Sequence, residues 1–166
     1  MFPPELVDRA ATLLDRCKKE GWRIATAESC TGGLIAALLT EIAGSSAVVE
    51  RGFVTYSNEA KIELLDVPQM LISRHGAVSA EVARAMAEGA LRRSKAELAV
   101  AVTGVAGPGG ATATKPVGLV HFGLAAAERP TLHLERRYGD LGRSAVRLRS
   151  VEDALALLES AAPGGR

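Results

Sequence analysis

Cysteine, surplus charge and long apolar runs are all scarce in this sequence. Its 166 residues include only two cysteines, Cys17 and Cys30, which excludes a disulfide-held scaffold and fits reduced thiols in a cytoplasmic protein. Twenty Lys and Arg stand against nineteen Asp and Glu, so there is no global basic field to hold DNA or RNA, and no nucleic-acid partner is expected. No stretch reaches the ~18 uninterrupted apolar residues of a membrane span. Residues 1–6 carry two prolines and a glutamate where a signal peptide would carry a basic start and an apolar run. The expectation is a soluble, cytoplasmic chain with no membrane partner. No set of cysteines and histidines has metal-ligand spacing, so no structural zinc is expected.

What is present is apolar residue in periodic order, 48% of the chain, enough to build one core in one domain over residues 1–166. Leu6, Ala10, Leu13, Leu14 and Cys17 recur at helical spacing after Pro3 and Pro4, until Gly21 stops the pattern. Residues 22–27 read as a strand, 28–33 as a tight turn, and 34–43 as an apolar helix closed by Gly44. A second strand is expected over 47–56, followed by a short helix over 58–65 whose cap is Ser57 or Asn58. Pro68 and Gly76 punctuate a connecting stretch. Ser79 caps a helix over 80–93, with Val82, Met86 and Leu91 roughly on one face. The nearly continuous apolar run 97–102 fits a strand covered on both faces. A glycine-rich loop (103–116), two strands (117–127 and 131–138) and a closing helix (141–160) complete the reading. This order predicts the α/β class, a three-layer α/β/α sandwich around a mixed, mostly parallel sheet of about five strands.

Three clusters carry candidate chemistry. In Ala27-Glu28-Ser29-Cys30-Thr31-Gly32-Gly33 a strand hands over to a helix, whose free N–H groups favour an anion or a developing oxyanion. Gly32 and Gly33 admit close approach, and Ser29 holds a hydroxyl at the rim, the layout of a nucleophile beside an oxyanion hole. Ser29 and Thr31 serve equally well as mere caps, and Cys30 is a rival nucleophile. A serine hydroxyl needs a base to take its proton. His121 and His133 fall within predicted strands, His75 lies in a connecting segment, and their spacing recommends no triad. Lys61, one turn into a helix after Tyr56, serves if burial brings its amine from about 10.4 toward neutrality; on a helix surface it would be only a solvated charge. The third cluster, residues 103–110, follows a buried strand and is neither a Walker A loop nor a dinucleotide-binding fingerprint. It reads as a phosphate or ribose cradle or as a flexible loop. Arg143, near the start of the last helix, suits a phosphate contact or plain solvent.

Taken together, TAESCTGG (26–33), YSNEAK (56–61), RHGAVS (74–79), TGVAGP (103–108) and KPVG (115–118) resemble the C-terminal domain of the CinA family over nearly the whole chain. The resemblance implies a serine/lysine amidohydrolase that converts nicotinamide mononucleotide, or a related pyridine nucleotide, to nicotinate mononucleotide and ammonia without a cofactor. It places the nucleophile on Ser29, the general base on Lys61 and an assisting tyrosine on Tyr56. Cys30, Thr31, Gly32, Gly33, Asn58, Thr103, Gly104, Gly107 and Arg143 become the substrate-binding set. A homodimer or higher homo-oligomer is also implied. The family's loop commonly continues Asp-Gly-Gly-Thr-Pro-Glu after Ala-Gly-Pro, whereas here it runs Gly109-Gly110-Ala111-Thr112-Ala113-Thr114, which loosens the loop and bears on affinity more than on chemistry. The family also occurs fused to a larger N-terminal domain, whose activities are not carried over to these residues. The alternative is a catalytically idle nucleotide-binding or competence/damage-associated regulatory module on the same fold.

Overall fold

Six α-helices and five strands make up the computed structural model, which describes residues 1–165. They are α1 (Pro4–Lys19), β1 (Ile24–Glu28), α2 (Leu34–Thr40), β2 (Val49–Val54), α3 (Asn58–Leu65), α4 (Gln69–His75), α5 (Ala80–Arg92), β3 (Leu98–Gly104), β4 (Leu119–Ala126), β5 (Leu132–Arg137) and α6 (Arg143–Ala161). The sheet order is β2-β1-β3-β4-β5. β1 pairs in parallel with β2 and β3, and β4 runs antiparallel to both β3 and β5. Only β4 opposes the common direction, which is the mixed, mostly parallel sheet expected.

Two cores flank the sheet. Alternate strand residues Ile24, Leu98, Val100, Val102, Val120, Phe122 and Leu124 face α1, α2 and α6, whereas Ala25, Ala27, Ala99, Ala101 and Ala125 face α5 and the end of α3. Strands buried on both faces need no polar stripe, and β3 and β4 are accordingly mostly apolar, whereas β1 buries Thr26 and Glu28 among its apolar residues. Helix α1 buries the five residues its periodicity singled out, and each Leu so buried contributes roughly 1.5–3 kcal/mol of transfer free energy.

The second face is the tighter one. Its strands present alanines, and α5 answers with Ala83, Ala87, Gly89 and Ala90, so helix and sheet approach closely. A Cβ on Gly89 would collide with the carbonyl oxygen of Leu65, the last residue of α3. The end of helix α3 thereby packs closely against α5.

Several boundaries shift from the sequence reading. Helix α2 ends at Thr40, whose hydroxyl donates back to Ala36 O at 2.7 Å, and a 3-10 turn over Ser45–Ala47 precedes β2. The stretch between Pro68 and Gly76 is a helix, α4, and none of its residues is buried. Leu91 is only partly buried, and Ala83, Ala87 and Ala90 complete the inner face of α5. No helix among the described residues is long and apolar enough to cross a membrane.

Candidate active site

The carboxyl ends of β1, β2 and β3 lie at one end of the sheet, where α/β folds of this kind bind ligands. Ser29 is the first residue beyond β1, and its N–H donates to Val102 O of β3 at 3.0 Å. That bond fixes the serine backbone to the centre of the sheet. Beyond β2 the chain turns through Thr55, Tyr56 and Ser57 into α3. Ser57 is the cap, accepting from Ala60 N at 3.0 Å; Asn58 is the first helical residue and is exposed.

One turn into α3, Lys61 points inward and is 1% exposed. Its Nζ lies 3.0 Å from Ser29 Oγ and 2.8 Å from Thr55 O, with the carbonyls of Tyr56 and Ser57 at 3.4 Å. Burial pushes this amine down to about 8, against weaker upward pulls from Cys30 and Glu59. A neutral amine has two N–H donors and one lone pair. The nearest carbonyl takes one donor, and the lone pair remains for the Ser29 hydroxyl proton. The two side chains, thirty-two positions apart, meet in the arrangement that a nucleophile and its base require.

Cys30 follows the serine and is nearly buried, its thiol pushed up to about 12 by desolvation. It is therefore not a thiolate near neutrality, which disfavours it as the rival nucleophile. The three histidines stand away from Ser29. His75 Nδ1 lies 3.7 Å from Glu81, and His121 and His133 pair with each other at 2.9 Å.

The turn after Ser29 is built differently from the expectation that the start of α2 would hold an oxyanion. Glu28, fully buried, accepts from the N–H groups of Ile35 at 2.8 Å and Ala36 at 3.0 Å, while Leu34 N donates to Thr31 O and Gly32 N to Ser29 O. The first N–H groups of α2 and that of Gly32 are spent internally. Among the described residues, the N–H groups of Cys30, Thr31 and Gly33 donate to no protein acceptor. The uncommitted N–H groups therefore belong to the turn, not to the helix. Gly33, at φ 100°, makes the left-handed step from that turn into α2.

A cleft of about 250 Å³ opens over the pair, lined by Ser29, Cys30, Tyr56, Val78, Arg143 and the loop from Gly104 to Gly110. Arg143, at the start of α6, ties its rim together: Nη1 donates to Gly107 O at 2.9 Å and Nη2 to Tyr56 Oη at 3.0 Å. Tyr56 is 60% exposed and meets Arg143 rather than Lys61 through its hydroxyl; its link to the amine is through its carbonyl. Of the substrate-binding set expected from the sequence, Cys30, Gly104, Gly107 and Arg143 line this cleft. Gly32 and Gly33 shape the turn behind it. Thr31 is fully buried, and its Oγ1 has no hydrogen-bond partner among the described residues. Thr103 spends its hydroxyl on Ala77 O at 2.8 Å, fastening the segment before α5 to the end of β3. Asn58 also stands outside the lining. Hollows of about 290 and 370 Å³ lie at the opposite end of the sheet, around Leu132 and Trp22, and neither contains Ser29 or Lys61.

Two residues escaped the sequence reading. Glu28 sits inside a quoted motif, but its partners Ile35 and Ala36 were invisible before the turn was folded. Arg147 donates to Cys30 O at 3.1 Å and Thr31 O at 3.0 Å. The available signal was its spacing of four from Arg143, which puts both guanidiniums on one face of α6.

The family model of the CinA C-terminal domain matches residues 7–162. This chain belongs to the CinA C-terminal domain family. Among solved structures of CinA relatives, competence/damage inducible protein CihA from Agrobacterium tumefaciens is 54% identical, with a TM-score of 0.93 over 95% of this chain and 96% of that one. Competence damage-inducible protein A (ComA) from Klebsiella pneumoniae is 35% identical, with a TM-score of 0.87 over 92% and 94%. The CinA-like protein of Synechococcus sp. (strain RCC307) is 53% identical over 150 residues, 90% of this chain and 36% of that protein. The CinA-like protein of Mycolicibacterium vanbaalenii is 57% identical over 145 residues, 87% and 34%. The chain thus spans about a third of the length of these CinA-like relatives.

Proposed function

We propose that this CinA domain is a cytoplasmic amidohydrolase that deamidates nicotinamide mononucleotide, or a related pyridine nucleotide, to the corresponding acid and ammonia. The observation that carries the reading is the buried Lys61 amine 3.0 Å from Ser29 Oγ, opening on a cleft with an arginine at its rim. Ser29 Oγ attacks the carboxamide carbon as its proton passes to the neutral Lys61. The carbon–nitrogen bond then breaks, Lys61 returns the proton to the departing nitrogen, and ammonia leaves. Water, deprotonated by the same amine, attacks the acyl-serine and releases the carboxylic acid, restoring both side chains. The pyridine ring lies across the cleft floor, and the phosphate meets Arg143 and the glycine loop, where backbone N–H groups and a guanidinium suit an anion.

Ammonia release from purified protein supplied with nicotinamide mononucleotide tests the reading. Turnover that disappears in Ser29→Ala and in Lys61→Ala is the expected result, and turnover unchanged in either variant overturns the mechanism. A panel of other amides, free nicotinamide included, sets the substrate. The competence- and damage-inducible names of the relatives favour one second reading, a nucleotide-binding regulatory module; binding of nicotinamide mononucleotide by thermal shift with no ammonia released is its signature. A homodimer or higher homo-oligomer is part of the proposal, and sedimentation checks it.

A further inference from the structure

Arg147 aims its guanidinium at the backbone of the turn that follows Ser29. It lies one helical turn beyond Arg143 on α6, and no carboxylate among the described residues stands within ion-pair distance of it. Both its recorded hydrogen bonds go to successive carbonyls of the turn after the nucleophile, Nε to Cys30 O and Nη2 to Thr31 O. A planar guanidinium presents its donors in a rigid fork. Gripping two neighbouring carbonyls with one fork fixes two consecutive peptide planes.

Those planes carry N–H groups on their far sides, because in a trans peptide the N–H points opposite to the C=O. The Thr31 and Gly32 N–H groups are therefore turned away from α6. Gly32 N closes back on Ser29 O, which in turn directs the N–H of Cys30 away from that bond. With Glu28 occupying the first N–H groups of α2, this turn, which follows Ser29 directly, retains the uncommitted N–H groups of Cys30, Thr31 and Gly33. A cation on the carbonyl side also polarises both peptides, strengthening their N–H groups as donors in a poorly hydrated setting. We infer that Arg147 is a positioning residue: by clamping the carbonyls of Cys30 and Thr31 it holds the turn so that the uncommitted N–H of Thr31 is aimed at the point beside Ser29 Oγ where negative charge develops. The inference rests on Ser29 being the nucleophile, and it does not require the substrate to be a pyridine nucleotide.

The test uses two readouts on wild type, Arg147→Ala and Arg147→Lys. One is kcat and KM for ammonia release from nicotinamide mononucleotide. The other is the rate at which a fluorophosphonate labels Ser29, followed by intact mass; there the Ser29 oxygen bonds to phosphorus, fluoride departs, and the phosphoryl oxygen occupies the oxyanion position. Loss of a single oxyanion donor typically costs about 10²–10³-fold. Arg147→Ala should lower kcat by about 10²-fold with KM within about twofold, and slow labelling in proportion. Added methylguanidinium should restore part of the rate to Arg147→Ala, and Arg147→Lys, charged but without the fork, should fall between. Three results overturn the assignment: unchanged kcat, a change confined to KM, or a loss that methylguanidinium leaves untouched while the melting temperature falls. If wild type releases no ammonia yet Ser29 labels, slower labelling in Arg147→Ala still supports the role of Arg147 while the substrate reading fails. If Ser29 of the wild type does not label at all, the assignment falls with the nucleophile.

Discussion

Two half-buried pairs in this domain look alike on paper and differ in what they can do. Ser29 and Lys61 meet at 3.0 Å, and His121 and His133 meet at 2.9 Å with their rings stacked. In both, burial is the largest influence pushing a basic nitrogen toward its neutral form. The first pair lies under a cleft at the carboxyl ends of β1 and β3. The second bridges β4 and β5 on the α5 side, with Glu81, Arg84, Glu135 and Lys115 as its charged surroundings, and it lines none of that cleft. A displaced pKa thus records loss of water. It becomes chemistry only where an electrophile can reach the group and a hydroxyl stands ready to give up its proton.

The comparison is broken most severely by deleting the base. Lys61→Met, which keeps the volume and removes the amine, should lower kcat by at least 10²–10⁴-fold, the usual contribution of a positioned general base; assay of ammonia release decides it. Next in size is the pH response. The wild-type rate should rise as the medium passes through about 8, where Lys61 loses its proton, and the rise should vanish from the residual rate of Lys61→Met. Stability moves the same way. Because the folded-state value lies below the ordinary 10.5 of lysine, the unfolded chain binds more protons between the two values, so stability should increase from about pH 8 to 10.5. Denaturant titrations across that interval check the slope, which Lys61→Met should remove.

The histidine pair predicts an effect on stability alone. Both rings are held below the ordinary 6.5, so the unfolded chain takes up protons first and stability should fall as pH drops beneath about 6.5. His121→Gln should flatten that acid limb in a series of thermal melts while the ammonia-release rate stays within about twofold of wild type. An equal collapse of activity would place the histidines in the same machinery as Ser29. The smallest effect belongs to Cys30→Ala. A thiol pushed up to about 12 is protonated at working pH, so activity should remain within about threefold, and loss comparable to that of Ser29→Ala would reverse the choice of nucleophile.

The parts of the fold written in local periodicity were readable in advance. Helix α1 announced its inner face through Leu6, Ala10, Leu13, Leu14 and Cys17, and β3 announced its burial through an unbroken apolar run. Helix α4 did not, because it buries no residue and so shows no apolar stripe. The end of α2 was misplaced by three residues, since Ile42 and Ala43 are apolar but lie beyond the last helical turn. At the site, residue type and motif resemblance singled out Ser29 and Lys61, which the fold brings to 3.0 Å, but not the turn of the Tyr56 hydroxyl toward Arg143. Contacts made across the fold were not legible: Arg147 reaches back 117 and 116 positions to Cys30 and Thr31, and Thr103 binds the Ala77 carbonyl 26 positions earlier. The sequence showed that Thr103 begins a special loop, but not that its hydroxyl is committed to holding another segment in place.

Gly89 lies on α5, far along the chain from both Ser29 and Lys61, and against the final carbonyl of the helix that bears the lysine. Adding one methyl group there would wedge that helix outward and let water reach the amine. The basicity of a group near the chemistry is thus governed by the smallness of a residue with no polar side chain of its own. Glycine-to-alanine change at this remote position would act as a tuning screw, shifting the pH at which the rate rises before it abolished the reaction.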